Sequence, residues 1–263
     1  MKYIMESNDE ARRLLVQERS GNAREALLLA GLRAGDRVLD AGCGPGGITD
    51  IIAEVVGPTG HVTGMDLSEE RLAQARQLNQ RHAHVRFHPG DVRDTRLPEA
   101  SFDYTWCQFV LQYIPERRAA LEELVRVTRP GGKLVISEFD GFGMNNWPFP
   151  DALRDWCQRF VDAVRQTTGL DIHVGRKVFT ELRQLGLQPV RVHLLPQYVI
   201  AGEADEAMRL DWETRFSALE PLVAPLLGGS PSYRAMCQEY LQLLVNPDAL
   251  KYSILLVTEA TRP

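Results

Sequence analysis

Short apolar runs alternate along the first half of the chain with segments in which apolar residues recur at helical spacing. This is the pattern of buried strands joined by amphipathic helices. We predict five strands, at residues 37–41, 61–67, 84–88, 102–108 and 133–139, and helices between them at 48–56, 69–81 and 115–127. Because strands that alternate with helices at short spacing pair in parallel, this half predicts a sheet covered by helices on both faces.

The pattern loosens after residue 140. There we predict helices at 151–167 and 176–185, a strand at 190–195, a largely helical segment at 203–246 and a last strand at 253–259. Residues 8–30 have a helical pattern with a break at Ser20-Gly21-Asn22. The whole chain therefore predicts a single α/β domain, residues 1–263, with a doubly wound, mostly parallel sheet of seven strands.

A glycine-rich turn follows the first predicted strand, and an acidic residue precedes it. Gly42, Gly44 and Gly47 satisfy the spacing GxGxxG, which alone is a weak sign of a nucleotide-binding loop. Ligands of an open α/β sheet bind beyond the carboxyl ends of the strands, where this turn lies. Asp40 would repel the pyrophosphate of a dinucleotide. The same carboxylate can orient the ammonium group of an amino-acid ligand.

Two further acidic residues follow the next two strands. Asp66 ends the second strand, and its carboxylate can accept hydrogen bonds from both hydroxyl groups of a ribose. Asp91 follows the third strand and can accept from an exocyclic amine. Asp66 suits a dinucleotide enzyme equally well, so the choice between ligands rests on Asp40.

The charge, the cysteine spacing and the length of the apolar runs indicate which partners the protein is expected to bind. Lys and Arg total 30 against 35 Asp and Glu, a formal net charge of −5, whereas proteins that bind a nucleic-acid backbone usually carry a basic surplus. The four cysteines lie far apart and form no CxxC pair, which argues against a metal cluster or a disulfide framework and fits a reducing cytosol. The chain opens with no signal-peptide pattern, and no apolar run approaches the roughly 20 residues that span a bilayer. We expect a cytoplasmic protein that needs no metal and binds neither nucleic acid nor membrane.

Four motifs follow one another between residues 38 and 132. They are Val38-Leu39-Asp40-Ala41-Gly42-Cys43-Gly44-Pro45-Gly46; Gly64-Met65-Asp66-Leu67-Ser68; Gly90-Asp91-Val92 with Leu97-Pro98 and Ser101-Phe102-Asp103; and Leu124-Val125-Arg126-Val127-Thr128-Arg129-Pro130-Gly131-Gly132. In combination they resemble the class I S-adenosylmethionine-dependent methyltransferases, nearest the small-molecule branch that includes quinone-biosynthesis and natural-product enzymes. The resemblance covers residues 1 to about 140. It implies a Rossmann-like methyltransferase fold with an antiparallel last strand, S-adenosyl-L-methionine as cofactor and S-adenosyl-L-homocysteine as product.

The resemblance also implies roles for single residues around the first two motifs. Gly42 and Gly44 pack beside the methionine part of the cofactor. Asp66 holds the ribose hydroxyls, and Met65 and Leu67 flank the adenine.

Further cofactor contacts are implied outside those motifs. Asp91 accepts from the adenine amine, and Val92 donates its backbone N–H. Gln108, at the end of the fourth strand, lies near the methionine amino group. The N-terminal segment resembles a helix that some members fold over the cofactor, with Tyr3 and Arg13 reaching its carboxylate.

The predicted domain has three parts with different tasks. They are an N-terminal helical cover at 1–30, a cofactor-binding core at 31–140, and a helical lid at 140–170 and 203–246. All of the motifs that resemble cofactor-binding motifs lie before about residue 140. We therefore expect the lid to supply most of the recognition of the acceptor. The lid is rich in large side chains, namely Phe142, Trp147, Phe149, Trp156, Phe160, Trp212 and Phe216. A plain core role or a dimer interface is the alternative for these helices.

The predicted reaction moves the methyl group of the cofactor to an oxygen, nitrogen or carbon of a small-molecule acceptor. A hydroxyl of high pKa would need a general base. The candidates are Glu138, Asp140 and His173, although a structural role is the simpler interpretation of His173. Two rival functions stay open, an NAD(P)-dependent oxidoreductase and a non-catalytic protein that binds the cofactor. The sequence does not choose between monomer and homodimer.

Overall fold

The computed structural model describes residues 22–141 and 143–263. Within them the chain forms two compact units. The sheet unit contains residues 22–140, 173–195 and 255–263, and the helical unit contains residues 141, 143–172 and 196–254. The predicted roles of Tyr3 and Arg13, and of most of the helical cover at 1–30, lie outside the described residues.

The sheet unit is built on five parallel strands. They are β1 (Arg37–Ala41), β2 (His61–Asp66), β3 (Val85–Pro89), β4 (Phe102–Gln108) and β5 (Thr128–Phe139). β1 lies between β2 and β4, β3 pairs with β2, and β5 pairs with β4. The last strand, β8 (Leu250–Thr261), runs antiparallel to β5 and places Leu255 opposite Phe139. The doubly wound, mostly parallel sheet with an antiparallel last strand is therefore confirmed.

Helices cover both faces of this sheet. They are α1 (Ala23–Leu29), α2 (Gly47–Val56), α3 (Glu69–Leu78), α4 (Arg117–Val127) and α6 (Gly175–Gln184). Successive side chains of a strand point to opposite faces. In β4, Trp106 therefore packs in the cluster that includes Ile52 of α2, whereas Cys107 packs in the cluster that includes Leu124 of α4. The same alternation puts Asp40 on the face that α2 covers.

The helical unit has its own core. Its helices are α5 (Asp151–Thr168), α7 (Glu206–Val223) and α8 (Ser230–Leu244). The core contains a cluster of aromatic residues, in which Trp156 contacts both Phe216 and Tyr233 with ring centroids 6.3 and 5.9 Å apart. Of the aromatic residues predicted for the lid, Phe149, Trp156, Trp212 and Phe216 are buried in this core, whereas Trp147 is 72% exposed. The plain core role is thus the one that the structure gives to most of them.

The structure departs from the predicted elements mainly in its strands. A short strand, β6 (Asn145–Trp147), pairs with β8 and was not predicted, so the sheet has eight strands among the residues that the structure describes. β7 (Val190–Ala201) also pairs with β8 and is longer than predicted. In the described part of the chain, no helix combines the length and apolar character needed to cross a membrane.

Candidate functional site

The glycine turn after β1 is tied to β2 by its backbone. The N–H groups of Gly42 and Cys43 both donate to the carbonyl oxygen of Met65, at 2.7 and 2.9 Å. Gly42 has a φ of +80°, and a Cβ built there would lie 2.2 Å from Cγ2 of Val110. A side chain at Gly42 would therefore meet both backbone strain and a direct clash. Val110, which the sequence analysis did not single out, covers this turn.

Asp66 ends β2 with its carboxylate held at both oxygens. The N–H of Gly44 donates to Oδ2 and the N–H of Ser68 donates to Oδ1, each at 2.9 Å. An ionised carboxylate has about four acceptor positions, so capacity remains for two hydroxyl donors. The geometry suits the predicted ribose contact, with the carboxylate already oriented before a ligand arrives.

Asp40 is almost fully buried, with 2% of its surface exposed. The hydroxyl of Thr49, in α2, donates to its Oδ2 at 2.6 Å. Burial raises the pKa of Asp40 to about 7; the Thr49 hydrogen bond opposes this shift and the nearby charge of Asp66 adds to it. A cation beside Asp40 would favour the ionised form, so the site suits an ammonium group. Thr49 is a further residue that the sequence analysis missed.

Gln108 lies one residue beyond the pair formed by Ala41 of β1 and Cys107 of β4, at the same edge as the glycine turn. Its Oε1 is buried and has no hydrogen-bond partner among the residues that the structure describes. Leaving a buried acceptor unpaired costs about 1–3 kcal/mol. A bound ammonium group would supply the missing donor. An orphaned acceptor and a buried carboxylate at one edge therefore fit the amino-acid end of S-adenosylmethionine.

The backbone turns sharply directly after Gln108. Phe109 has a φ of +57°, and its ring stacks on that of Phe139 with centroids 4.1 Å apart. Its N–H donates to the carbonyl oxygen of Ser137 at 3.1 Å. A non-glycine residue at positive φ is costly and persists where its surroundings hold it, often at functional sites. No pattern in the sequence marks this turn.

The residues predicted around the adenine differ in what they offer a ligand. Leu67 is 69% exposed, whereas Met65 has no exposed surface and belongs to the core. This burial argues against Met65 as an adenine contact, whereas the exposure of Leu67 is compatible with the contact predicted for it. Val92 is also largely buried, although the role predicted for it uses only its backbone N–H.

Asp91 is already engaged by a neighbour. The guanidinium Nε of Arg93 donates to both carboxylate oxygens, at 3.0 and 3.1 Å, and its backbone N–H donates to Oδ1 at 2.8 Å. These bonds from Arg93 lower the pKa of Asp91. The carboxylate would have to share its oxygens with Arg93 when it accepts from an adenine amine.

The three candidate bases fall in two environments. Glu138 has no exposed surface and its Oε1 accepts from the N–H of Leu111 at 2.8 Å, which argues against proton transfer to it from an acceptor. Asp140 accepts two hydrogen bonds from Arg176, at 2.6 and 3.0 Å. Nδ1 of His173 lies 3.7 Å from Oδ1 of Asp140, and the His173 side chain is partly exposed. Only His173 and Asp140 lie together.

Comparisons with known proteins agree with this geometry. The family described as "Methyltransferase domain" matches residues 39–136. Demethylmenaquinone methyltransferase of Staphylococcus aureus is 38% identical over 108 residues, 41% of this chain and 45% of that protein. The chain spans less than half the length of the curated relatives it matches first, 39% and 45% of them.

Solved structures share the fold at low identity. An S-adenosylmethionine-dependent methyltransferase from Aquifex aeolicus aligns with a TM-score of 0.57 and 18% identity over 98% of this chain and 99% of that one. The cyclase SpnF aligns with a TM-score of 0.54 and 19% identity over 91% and 81%. Residues 39–136 are therefore similar to the methyltransferase domain family, and the chain shares its fold with solved S-adenosylmethionine-dependent methyltransferases.

Proposed function

We propose that this protein transfers a methyl group from S-adenosyl-L-methionine to an oxygen, nitrogen or carbon of a small-molecule acceptor and releases S-adenosyl-L-homocysteine. The observation that carries the proposal is the edge where Asp40, Gln108 and Asp66 meet the glycine turn. This edge offers a buried carboxylate and an unpaired acceptor to an ammonium group, and an oriented carboxylate to a ribose.

The protein's own contribution is mainly orientation. The cofactor supplies an activated methyl group on its sulfonium when bound. Asp66 fixes the ribose, and Asp40 and Gln108 fix the ammonium end, so the methyl group is held in one place. Holding reacting groups in line accounts for a large share of the acceleration in such displacements. Thr49 and Ser68 act by keeping the two carboxylates in position.

We propose His173 as the base where the acceptor is a hydroxyl of high pKa. Its ring nitrogen Nδ1 faces Asp140 at 3.7 Å, an arrangement that supports an imidazolium after proton transfer. Arg176 holds the Asp140 carboxylate from the other side. An amine that is neutral at working pH needs no such base.

We propose a small molecule as the acceptor, with recognition supplied largely by the helical unit. The family match ends at residue 136, so all of the described helical unit lies beyond it. The relative from Staphylococcus aureus is named for a quinone substrate, which supports an aromatic or quinone-like acceptor. The buried aromatic residues of the helical unit belong to its core and stabilise it. Exposed residues of the unit, such as Trp147, are the candidates for contact with the acceptor.

Calorimetry with S-adenosylhomocysteine and with NADH tests the cofactor part of the proposal. We expect binding of the first and no heat from the second. Binding of NADH alone would favour the oxidoreductase, which Asp40 and the family match both argue against.

A turnover screen tests the reaction itself. Quinols, phenols and amines are incubated with S-adenosylmethionine, and S-adenosylhomocysteine is measured by mass spectrometry. An Asp66→Asn variant is the matched control for background hydrolysis. Because the fold also carries a cyclase, cofactor binding without turnover on any acceptor class would favour the non-catalytic alternative.

A further inference from the structure

Glu138 is a buried carboxyl group at the active edge of the sheet that the proposed reaction does not use. It lies next to the end of β5, and none of its surface is exposed. The N–H of Leu111 donates to its Oε1 at 2.8 Å, and the neighbouring N–H groups of Val110 and Gln112 act on the same carboxyl and lower its pKa. One side chain thus interacts with three successive peptide N–H groups of the turn that follows β4.

That turn reaches the glycine loop. Cγ2 of Val110 fills the space in which a Cβ on Gly42 would stand. The turn begins directly after Gln108, and Phe109 holds a positive φ within it. Any movement of the turn would therefore shift the neighbours of both Gly42 and Gln108.

The groups around Glu138 offset only part of the cost of burying its carboxyl group. Burial raises its pKa to about 8, although the three N–H donors and the charge of Arg117 oppose the shift. The titratable groups near it are Cys107 of β4, whose thiol pKa is raised well above its usual value by burial, and Arg117 of α4, which is paired with Glu181 of α6. Its Oε2 is buried without a hydrogen-bond partner in the described ranges. A full charge here would be costly, so the geometry favours a neutral acceptor for the turn.

We propose that Glu138 is a positioning residue of the cofactor site, which holds the Phe109–Gln112 turn so that Val110 and Gln108 stand correctly beside the glycine loop. The inference rests on the proposed cofactor site. Glu138 acts through the turn and touches neither the cofactor nor the acceptor. The neutral carboxyl keeps this arrangement, and its ionisation loosens the turn.

Two substitutions separate positioning from a general structural role. Glu138→Gln keeps an oxygen that accepts the N–H bonds and carries no charge, whereas Glu138→Leu fills similar space without any acceptor. The control is Glu259→Gln, because Glu259 is also buried in the sheet unit but pairs with Lys133 and His193, away from this turn. The readouts are the Kd for S-adenosylhomocysteine by calorimetry between pH 6.5 and 9, and thermal unfolding.

At pH 7 we expect Glu138→Gln to bind like the wild type, and Glu138→Leu to bind about tenfold more weakly with a cooperative unfolding transition. Wild-type affinity should fall as pH rises above about 8, and Glu138→Gln should not share that fall. Glu259→Gln should lose stability without losing affinity.

The proposal is overturned if Glu138→Leu binds as tightly as the wild type. Should Glu138→Leu not fold, the comparison of wild type and Glu138→Gln across pH 8 decides, and identical profiles overturn it. Absence of binding by the wild type at every pH would instead refute the proposed cofactor site.

Discussion

Binding of S-adenosylhomocysteine should release a proton from Asp40. Burial raises the pKa of Asp40 to about 7, so without ligand the carboxyl is neutral below that pH and ionised above it. The ammonium group of the ligand favours the ionised form and lowers this pKa in the complex. Affinity should therefore rise with pH, and the attraction between ammonium and carboxylate is lost as pH falls through about 7.

The size of the effect follows from the fraction of Asp40 that is already ionised. For a group with a pKa of about 7 that must ionise to bind, the apparent Kd is raised about elevenfold at pH 6, about twofold at pH 7 and hardly at all at pH 8. Binding should thus be about tenfold tighter at pH 8 than at pH 6, which corresponds to about 1.4 kcal/mol. Near pH 7 about half a proton should leave per ligand bound.

Calorimetry measures both quantities. The Kd is determined from pH 6 to 8, and the titration at pH 7 is repeated in two buffers with different ionisation enthalpies, so that the difference in heat reports the protons released. Asp40→Asn is the matched control, because its amide oxygen can still accept from Thr49 while the side chain no longer titrates in this range.

The control also removes contributions from the ligand's own amine, which wild type and variant share. A flat wild-type profile, or an equal slope in Asp40→Asn, would refute the reasoning. In that case the ammonium group is held elsewhere, or Asp40 is ionised throughout.

Two further predictions concern single contacts, and a third concerns the net charge. Asp66→Ala should weaken binding of S-adenosylhomocysteine by about 1.5–3 kcal/mol, the usual loss for hydrogen bonds to a charged acceptor, and circular dichroism should show an unchanged fold; an unaltered Kd would remove Asp66 from the site. Glu259→Gln should lower the free energy of unfolding at pH 7 by about 1.5–3 kcal/mol. Burial raises the pKa of Glu259, but the interactions with Lys133 and His193 outweigh burial, so the pKa of this carboxyl is lowered overall. The stability difference between wild type and Glu259→Gln should therefore be present above pH 4.5 and shrink as pH falls through the lowered pKa. A stability difference that is independent of pH in urea titrations would contradict this prediction. Because the net charge is −5, the protein should not retard random duplex DNA in a gel at low salt, and a salt-sensitive shift would count against a small-molecule acceptor.

The strand-and-turn motifs could be predicted from the sequence because each of them is a short continuous segment of the chain. Asp40 and Asp66 stand at the ends of apolar runs, and the carboxyl ends of parallel strands share one edge, so their common site could be predicted before any coordinates. The short strand β6 could not be predicted, because Asn145 and Asn146 carry no apolar signal. That strand forms where β8 offers backbone partners, with Asn145 opposite Tyr252.

The sequence by itself determined the order of most elements, the glycine turn after β1 and the acidic residues predicted to contact a ligand there. Only the tertiary structure decided what each residue does there. Thr49 reaches Asp40 because α2 folds back over β1, and Val110 reaches Gly42 because β1 and β4 pair in register. Glu138, which the sequence suggested as a base, is buried in the structure and accepts the N–H of Leu111. Burial and strand pairing depend on contacts between residues that are far apart in the chain. A local pattern of apolar and polar positions does not predict which of these distant residues come into contact.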